Sequence, residues 1–350
     1  MNTHHPWTLF SSLYKPLRQY KDRRNYIQWH KNHVKEINNS TSQIRYYNFW
    51  KNPTGQEYWF TPFINSRIHL KNSSKTIGFI SCFGVYEAIS GIESDIKIYY
   101  TGENSHCEFH TNPIGENILK YADGLLNDPN IDLSLGFDYF EFPRYMRFPL
   151  WYTYIFDSRC NQEQLLARIK ELRYPYIGER EQFCALIASH DWNDIRTNVL
   201  SQIRSIPNMQ PIKCAGKFMH NDDTLKKGYN DNKCNYLKQF IFNICPENSN
   251  SYGYVTEKLF EAILSGCIPI YWGSYNDPEP GVINKDAVLF FDPHKENEKL
   301  LQQIEDLVTH PKMLNDFMMQ PRLLDSAEEI IIGTLDELQR RIESLVSVQN

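Results

Sequence analysis

Residues 242–274, FNICPENSNSYGYVTEKLFEAILSGCIPIYWGS, constrain the fold of this chain more than any other stretch. An apolar run at 242–245 reads as a short buried strand, and the polar turn 247–251 follows it. Next comes a helical pattern with Val255, Leu259, Ala262, Ile263 and Gly266 on one side, and then a second apolar run at 268–272. Strand, loop, helix and strand within about 30 residues make a βαβ unit. Gly266 stands where a helix C-cap belongs, and Pro269 argues that the helix has ended.

Polar residues occupy the positions of this unit that a ligand would meet. Glu257 and Lys258 fall in the first helical turn, just beyond a strand end, where free amides and the helix dipole favour an anion. Lysine adds a mobile positive charge suited to a diphosphate. Glu257 differs chemically: its carboxylate can accept hydrogen bonds from sugar or ribose hydroxyls. Taken alone, the same letters fit an ordinary helix cap with solvated charges and two solvent-facing tyrosines, Tyr252 and Tyr254.

The longer string CPENSNSYGYVTEKLFEAILSGCIPIYWG resembles the donor-site signature of the α-1,3/1,4-fucosyltransferase family (glycosyltransferase family 10), whose donor is GDP-fucose. Similarity upstream extends the resemblance over most of 44–293. A bacterial-type soluble member is implied, with an α/β GT-B fold: two Rossmann-like domains facing a cleft, with C-terminal helices. The expected division is a basic and aromatic extension at 1–43 and an acceptor-side domain at 44–165. A GDP-fucose domain at 180–310 and a helical segment at 311–350 complete it.

Periodicity supports alternating strands and helices. Strand candidates lie at 44–50, 76–83, 95–100 and 131–137, and 59–63 is a further short apolar segment. The second domain is expected to begin near Gln182, with a strand at 183–189, a helix at 194–203 and a strand at 212–216. A last strand is expected at 287–291 and helices beyond Lys295. Ordered structure is expected from Ile44 onward. Before it, Lys15, Arg18, Lys21, Arg23, Arg24, Lys31 and Lys35 alternate with Trp7, Phe10, Tyr14, Tyr20, Tyr26 and Trp29. Such an arm suits peripheral contact with a membrane or an anionic acceptor, although packing on its own domain is the simpler role.

Composition narrows the alternatives. The formal charge of −5 makes no invitation to nucleic acid. Eight cysteines lie scattered, without CxxC pairs and several in apolar runs, which favours reduced core thiols in an intracellular protein. No apolar run of about 20 residues and no apolar N-terminal segment is present. Golgi members of the resembled family carry a membrane anchor. The expected place is therefore the cytoplasm, at most peripheral to a bacterial inner membrane, or the Golgi if an anchor has been removed.

Specific roles follow from the resemblance. Glu103, in the segment YTGEN beyond a candidate strand end, matches the family's catalytic base, which takes a proton from the acceptor hydroxyl. Tyr100 is expected to orient that carboxylate or touch the sugar. Arg196, in SHDWNDIR, matches the arginine that clamps the donor phosphates. Asn248 and Tyr254 match positions around the nucleotide sugar, and Glu257 is expected to hold donor hydroxyls and steady the oxocarbenium-like ring. Lys258 completes the diphosphate site. In CAGKF at 214–218, the glycine permits close backbone approach and Cys214 is structural. Arg144 and Arg147, in FDYFEFPRYMRFPLWY, are expected to pack near an inter-domain face.

No metal site is expected. His106, Cys107 and His110 make at most a partial ligand set, and Asp222-Asp223 lies in a charged surface loop. Arg196 and Lys258 can neutralise a diphosphate themselves, leaving a divalent ion as a stimulant without a fixed site. The implied activity is inverting transfer of L-fucose from GDP-β-L-fucose to an N-acetyllactosamine-type glycan, giving a Lewis-type α-1,3 or α-1,4 product, with no tightly bound cofactor. A GT-B enzyme for another nucleotide sugar is the nearest competitor, because diphosphate contacts are blind to base and sugar. A non-catalytic glycan-binding relative is opposed by the presence of Glu103, Arg196, Glu257 and Lys258.

Overall fold

The structure, a computed structural model, describes residues 6–49, 58–68, 70, 73–107, 124–175 and 178–347. Packing divides the chain into two compact units. One comprises 1–136, 140–146 and 341–350, and the other 137–139 and 147–340.

In the first unit, helix α1 (Pro6–Asn38) precedes strand β1 (Ile44–Tyr47). Then come α2 (Phe60–Arg67), β2 (Ile77–Ile80), α3 (Tyr86–Ile89), β3 (Ile96–Tyr100), β4 (Leu133–Gly136) and β5 (Tyr145–Arg147), whose last residue counts with the second unit. The strands form one sheet in chain order, with β1 to β4 paired in parallel. Every residue of β2 and β4 is buried, as expected of a parallel sheet covered on both faces. The expected strands at 44–50, 76–83, 95–100 and 131–137 are thus present but shorter, and Trp50 lies outside the described residues.

One expectation fails here. Ordered structure does not wait for Ile44. Helix α1 places Val34 in one core with Tyr47, Ile80, Ala88 and Ile89. His30 Nδ1 meets Asn48 Oδ1 at 2.8 Å, and Arg23 pairs with Glu87 at 2.7 Å. Lys21, Arg23, Arg24, Lys31 and Lys35 are exposed on a helix that buries His30 and Val34. The apolar segment at 59–63 opens helix α2: Phe60, Phe63 and Ile64 are buried at helical spacing.

The second unit contains α4 (Trp151–Ile155), α5 (Gln162–Arg173), β6 (Gln182–Leu186), α6 (Ile195–Arg204), β7 (Lys213–Cys214), α7 (Thr224–Tyr229) and α8 (Lys233–Leu237). After these come β8 (Phe240–Ile244), α9 (Glu257–Leu264), β9 (Ile268–Tyr271), β10 (Leu289–Phe290), α10 (Glu298–Thr309), α11 (Pro311–Met318) and α12 (Ala327–Ser347), of which the residues from Arg341 on count with the first unit. The units depart from the boundaries read in the sequence, since 147–173 pack with the second one. Trp151 explains why: its ring stacks on Phe260 of α9 at 4.0 Å.

The second sheet runs β10-β9-β8-β6-β7, all parallel. From β6 the chain moves outward to β7, then returns to the other side of β6 as β8. The carboxyl ends of β6 and β8 therefore flank a topological switch point, where open α/β sheets leave a crevice. Gly266, at φ +72°, closes α9, with Cys267 N donating to Ala262 O at 3.0 Å. Gly216 lies so close to the end of β6 that a Cβ there would stand 2.0 Å from Ala188 O. All eight cysteines are free thiols, and Cys82, Cys107, Cys184, Cys214, Cys245 and Cys267 are buried.

Candidate active site

Arg196 reaches the switch point because α6 begins there. Asp191 accepts hydrogen bonds from Arg196 N (3.1 Å), Thr197 N (2.7 Å) and Thr197 Oγ1 (2.8 Å), which satisfies otherwise orphaned amides at the helix start. Asp194, at φ +58°, turns the chain into the helix. The Arg196 side chain is then buried and directed at the other strand end. Nη2 donates to Asn248 Oδ1 at 2.8 Å, and Nη1 donates to His190 O. Burial draws its pKa below the ordinary arginine value, against the pull of Asp191 and Glu247. The backbone of Asn248 is held as well, its carbonyl accepting from Asn193 Nδ2 at 3.0 Å.

Lys258, in the first turn of α9, sits among three oxygens. Its Nζ lies 2.8 Å from Thr256 Oγ1, 3.3 Å from Glu247 Oε2 and 3.5 Å from Glu257 Oε1. Burial opposes its charge, but Glu257 and Glu247 outweigh that and raise its pKa. For Glu257, burial pushes upward and is overcome by Lys258 and Lys233, so its carboxyl is held below the usual range. Glu247 goes the other way. Its side chain is fully enclosed, and burial raises its pKa despite Lys258. It accepts from Thr256 N at 2.8 Å and from Thr256 Oγ1 at 2.6 Å. Gly273 makes room for it: a Cβ there would stand 2.6 Å from Glu247 Cγ.

Arg196, Lys258, Glu257, Lys233 and Glu261 line one pocket of about 40 Å³ with Asn243 and the ends of β6 and β8. The charges of Glu257 and Lys258 are therefore largely shielded from solvent and not independent. Tyr254 is buried, its ring meeting Phe137 edge-on at 5.1 Å, whereas Tyr252 is exposed. Only one of the two tyrosines faces solvent.

In the first unit, Glu103 follows β3 through a tight turn. Its N donates to Thr101 Oγ1 at 3.2 Å, and Thr101 Oγ1 donates to its carbonyl at 3.1 Å. Tyr100, the last residue of β3, is buried with its ring edge-on to Phe60 at 5.0 Å. The carboxylate thus stands past the carboxyl end of a parallel strand, as the position of YTGEN implies.

Glu247 and Thr256 escaped the sequence reading, which took 247–251 as a polar turn. A positional signal existed. Glu247 follows a strand end just as Glu103 does, but the letters do not say that a carboxylate turns inward. Arg147, expected to pack at a domain face, belongs to the second unit and pairs with Glu279 at 2.6 Å. Among the described residues no group of three or more His, Cys, Asp and Glu is arranged to hold a metal ion, and His110 lies outside them. Among them, too, no helix is long and apolar enough to cross a membrane.

Two Rossmann-like lobes, the second with cations at its switch point, define a GT-B glycosyltransferase architecture. The same fold is found in two solved structures. A crystal structure of an α1,3-fucosyltransferase is similar at 22% identity and TM-score 0.58, over 85% of this chain and 89% of that one. One of an α1,3-fucosyltransferase with GDP is similar at 19% identity and TM-score 0.55, over 90% and 97%. The family model for the α-(1,3)-fucosyltransferase FucT N-terminal domain matches 44–154, and that for the C-terminal part of glycosyltransferase family 10 (fucosyltransferase) matches 177–320. The chain belongs to glycosyltransferase family 10. It is 26% identical to the α-(1,3)-fucosyltransferase FucT of Helicobacter pylori over 274 residues, 71% of this chain. It spans about half of that relative's length, 52%.

Proposed function

We propose that the protein is an inverting fucosyltransferase that moves L-fucose from GDP-β-L-fucose to an N-acetylglucosamine-containing glycan, forming an α-1,3 or α-1,4 linkage. The observation that carries this reading is the Arg196–Asn248 bridge across the switch point beside Lys258. Lys258 comes from the string that resembles the family's donor signature and Arg196 from SHDWNDIR, and both fall within 177–320, which the family 10 model matches.

Arg196 presents a fork that can hold two phosphoryl oxygens and offset charge on departing GDP. Lys258 is poised to exchange partners. Its contacts with Glu247 and Glu257, at 3.3 and 3.5 Å, are long for charge-assisted bonds, which run about 2.7–2.9 Å. A phosphate oxygen therefore competes well for its hydrogens. Glu257, kept ionised, accepts from donor hydroxyls and favours positive charge on the fucose ring. Glu103 removes the acceptor proton as the hydroxyl attacks the anomeric carbon. The C–O bond to GDP breaks in the same displacement, so no covalent sugar–enzyme intermediate is required. Exclusion of water suppresses donor hydrolysis.

The test is a donor panel of GDP-fucose, GDP-mannose and UDP-sugars against N-acetyllactosamine, with NMR analysis of the product linkage. Glu103→Gln is expected to lower turnover about 10²–10⁴-fold while leaving GDP affinity unchanged. Preference for a UDP-sugar, or full activity in Glu103→Gln, would sink the donor assignment or the base assignment respectively.

A further inference from the structure

We infer that Arg147 and Glu279 form a positioning clamp for the loop 247–256 that carries Asn248, Tyr254 and the start of α9. This role rests on the fucosyl-transfer reading above. Arg147 spends its donors on four acceptors. Nη1 donates to Glu279 Oε2 at 2.9 Å and Nη2 to Glu279 Oε1 at 2.6 Å, a bidentate pair. Nε donates to Phe137 O at 2.8 Å, and Nη2 also donates to Gly253 O at 3.0 Å. The guanidinium lies 4.2 Å from the Tyr139 ring centroid, and Glu279 is only 3% exposed. A lysine, with one nitrogen, cannot reproduce this geometry.

The clamp closes on a loop that is held from several sides. Gly253 N donates to Ser274 Oγ at 3.0 Å, so side chains grip both polar atoms of this residue. Its φ of +82° suits glycine, and a Cβ would meet Phe137 O at 2.6 Å and Tyr139 at 2.9 Å. Tyr275 N donates to Asn250 Oδ1 at 2.7 Å. The bracing segment is itself unusual, since Ser274, Tyr275, Asn276 and Glu279 all have left-handed φ of 46–57°. Such conformations persist where the surroundings enforce them, and they cluster at functional sites.

A buried ion pair is weak as a source of stability, because well-packed apolar residues often do as well. What a bidentate pair supplies is direction. Gly253 adjoins Tyr254, and Thr256 two residues on is the residue that Glu247 and Lys258 share. Arg147 and Glu279 do not line the Arg196–Lys258 pocket. Their effect on the reaction therefore passes through the loop, which makes them positioning residues.

The test uses the full chain with Arg147→Lys and Glu279→Gln. GDP affinity is measured by calorimetry, kinetic constants with GDP-fucose and N-acetyllactosamine, and amide hydrogen exchange over 250–258. In Arg147→Lys, Kd for GDP and KM for GDP-fucose are expected to rise at least about tenfold, with acceptor KM within about twofold of the parent. Exchange should quicken over 250–258 and stay unchanged in β6 and β8. Glu279→Gln, which keeps the arginine and the shape, should move the same quantities less and serves if Arg147→Lys does not fold. Lowered thermal stability with unchanged GDP affinity and loop exchange would overturn the clamp. A parent protein that binds GDP but transfers no fucose would overturn the functional reading alone, the clamp then being judged on GDP affinity. A parent that binds no GDP would overturn both.

Discussion

Replacing Lys258 by methionine separates the residue's part in the scaffold from its part in chemistry. The side chain of Glu247 is wholly buried and that of Glu257 13% exposed, and both face the ammonium that would be lost. Removing one partner of a buried pair costs about 3–5 kcal/mol, because the remaining charge is left without compensation. Lys258 is 21% exposed, and Thr256 still donates twice to Glu247, so the lower end, about 3 kcal/mol, is expected. At roughly 2–4 °C per kcal/mol for a unit of this size, the melting temperature should fall by about 6–12 °C.

The sign with pH is also fixed. The pKa of Glu247 is already raised in the folded protein, chiefly by burial, and losing Lys258 raises it further. Stability linked to such a group is fully present below its unfolded pKa, about 4.3, and is lost as pH rises through the folded value. The deficit of Lys258→Met should therefore shrink as pH is lowered from about 8 toward about 5. Adding Glu247→Gln removes the stranded charge and should restore much of the stability at neutral pH, but not GDP affinity. The assay is thermal and denaturant unfolding of the four proteins in the double-mutant cycle, with calorimetric titration of GDP. A single variant within about 1 kcal/mol of the parent at neutral pH, or a deficit that grows on acidification, would refute the reasoning.

Other outcomes follow from packing and burial. Gly216→Ala forces a methyl to within 2.0 Å of Ala188 O, a backbone atom at the end of β6. Unfolding should show a loss of about 3 kcal/mol or more, and a loss under about 1 kcal/mol would mean that the loop shifts freely. Trp151→Ala removes a fully buried ring stacked on Phe260 and should cost the second unit about 3–5 kcal/mol in denaturant titration. His30 is held below its ordinary pKa, mainly by burial, so stability tied to its neutral form is complete above about pH 6.5 and lost as pH falls through the lower folded value. His30→Gln should flatten that acid-side slope in the first unit, and an unchanged slope would place its origin elsewhere.

Much of the second lobe was readable because its cues are local. The βαβ unit, the end of α9 at Gly266 and the close approach at Gly216 each depend on a periodicity or a glycine whose meaning is settled within a few residues. The charges of Glu257 and Lys258 at the helix start after a strand were likewise visible, whereas Arg196, Asn248 and Glu103 became candidates through the resemblance to the family. The packing of this first segment, helix α1, on its own unit agrees with the simpler reading, but its order went unread because over 21–38 exposed polar residues outnumber the few, Val34 among them, that are buried. The segment at 59–63 shows the same limit in miniature: an apolar run that short fits a strand or the start of a helix equally well.

What the chain dictated on its own is the inventory of elements and the chemical types placed at their ends, because backbone preference and side-chain period act between near neighbours. The tertiary structure alone decided which ends meet. It set the reversal of strand order between β6 and β8, turned Glu247 inward to share Lys258 with Glu257, and joined Arg147 to Glu279 across 132 residues. Such pairings balance desolvation against Coulomb attraction and hydrogen bonding, and that balance exists only once the fold has excluded water from both partners.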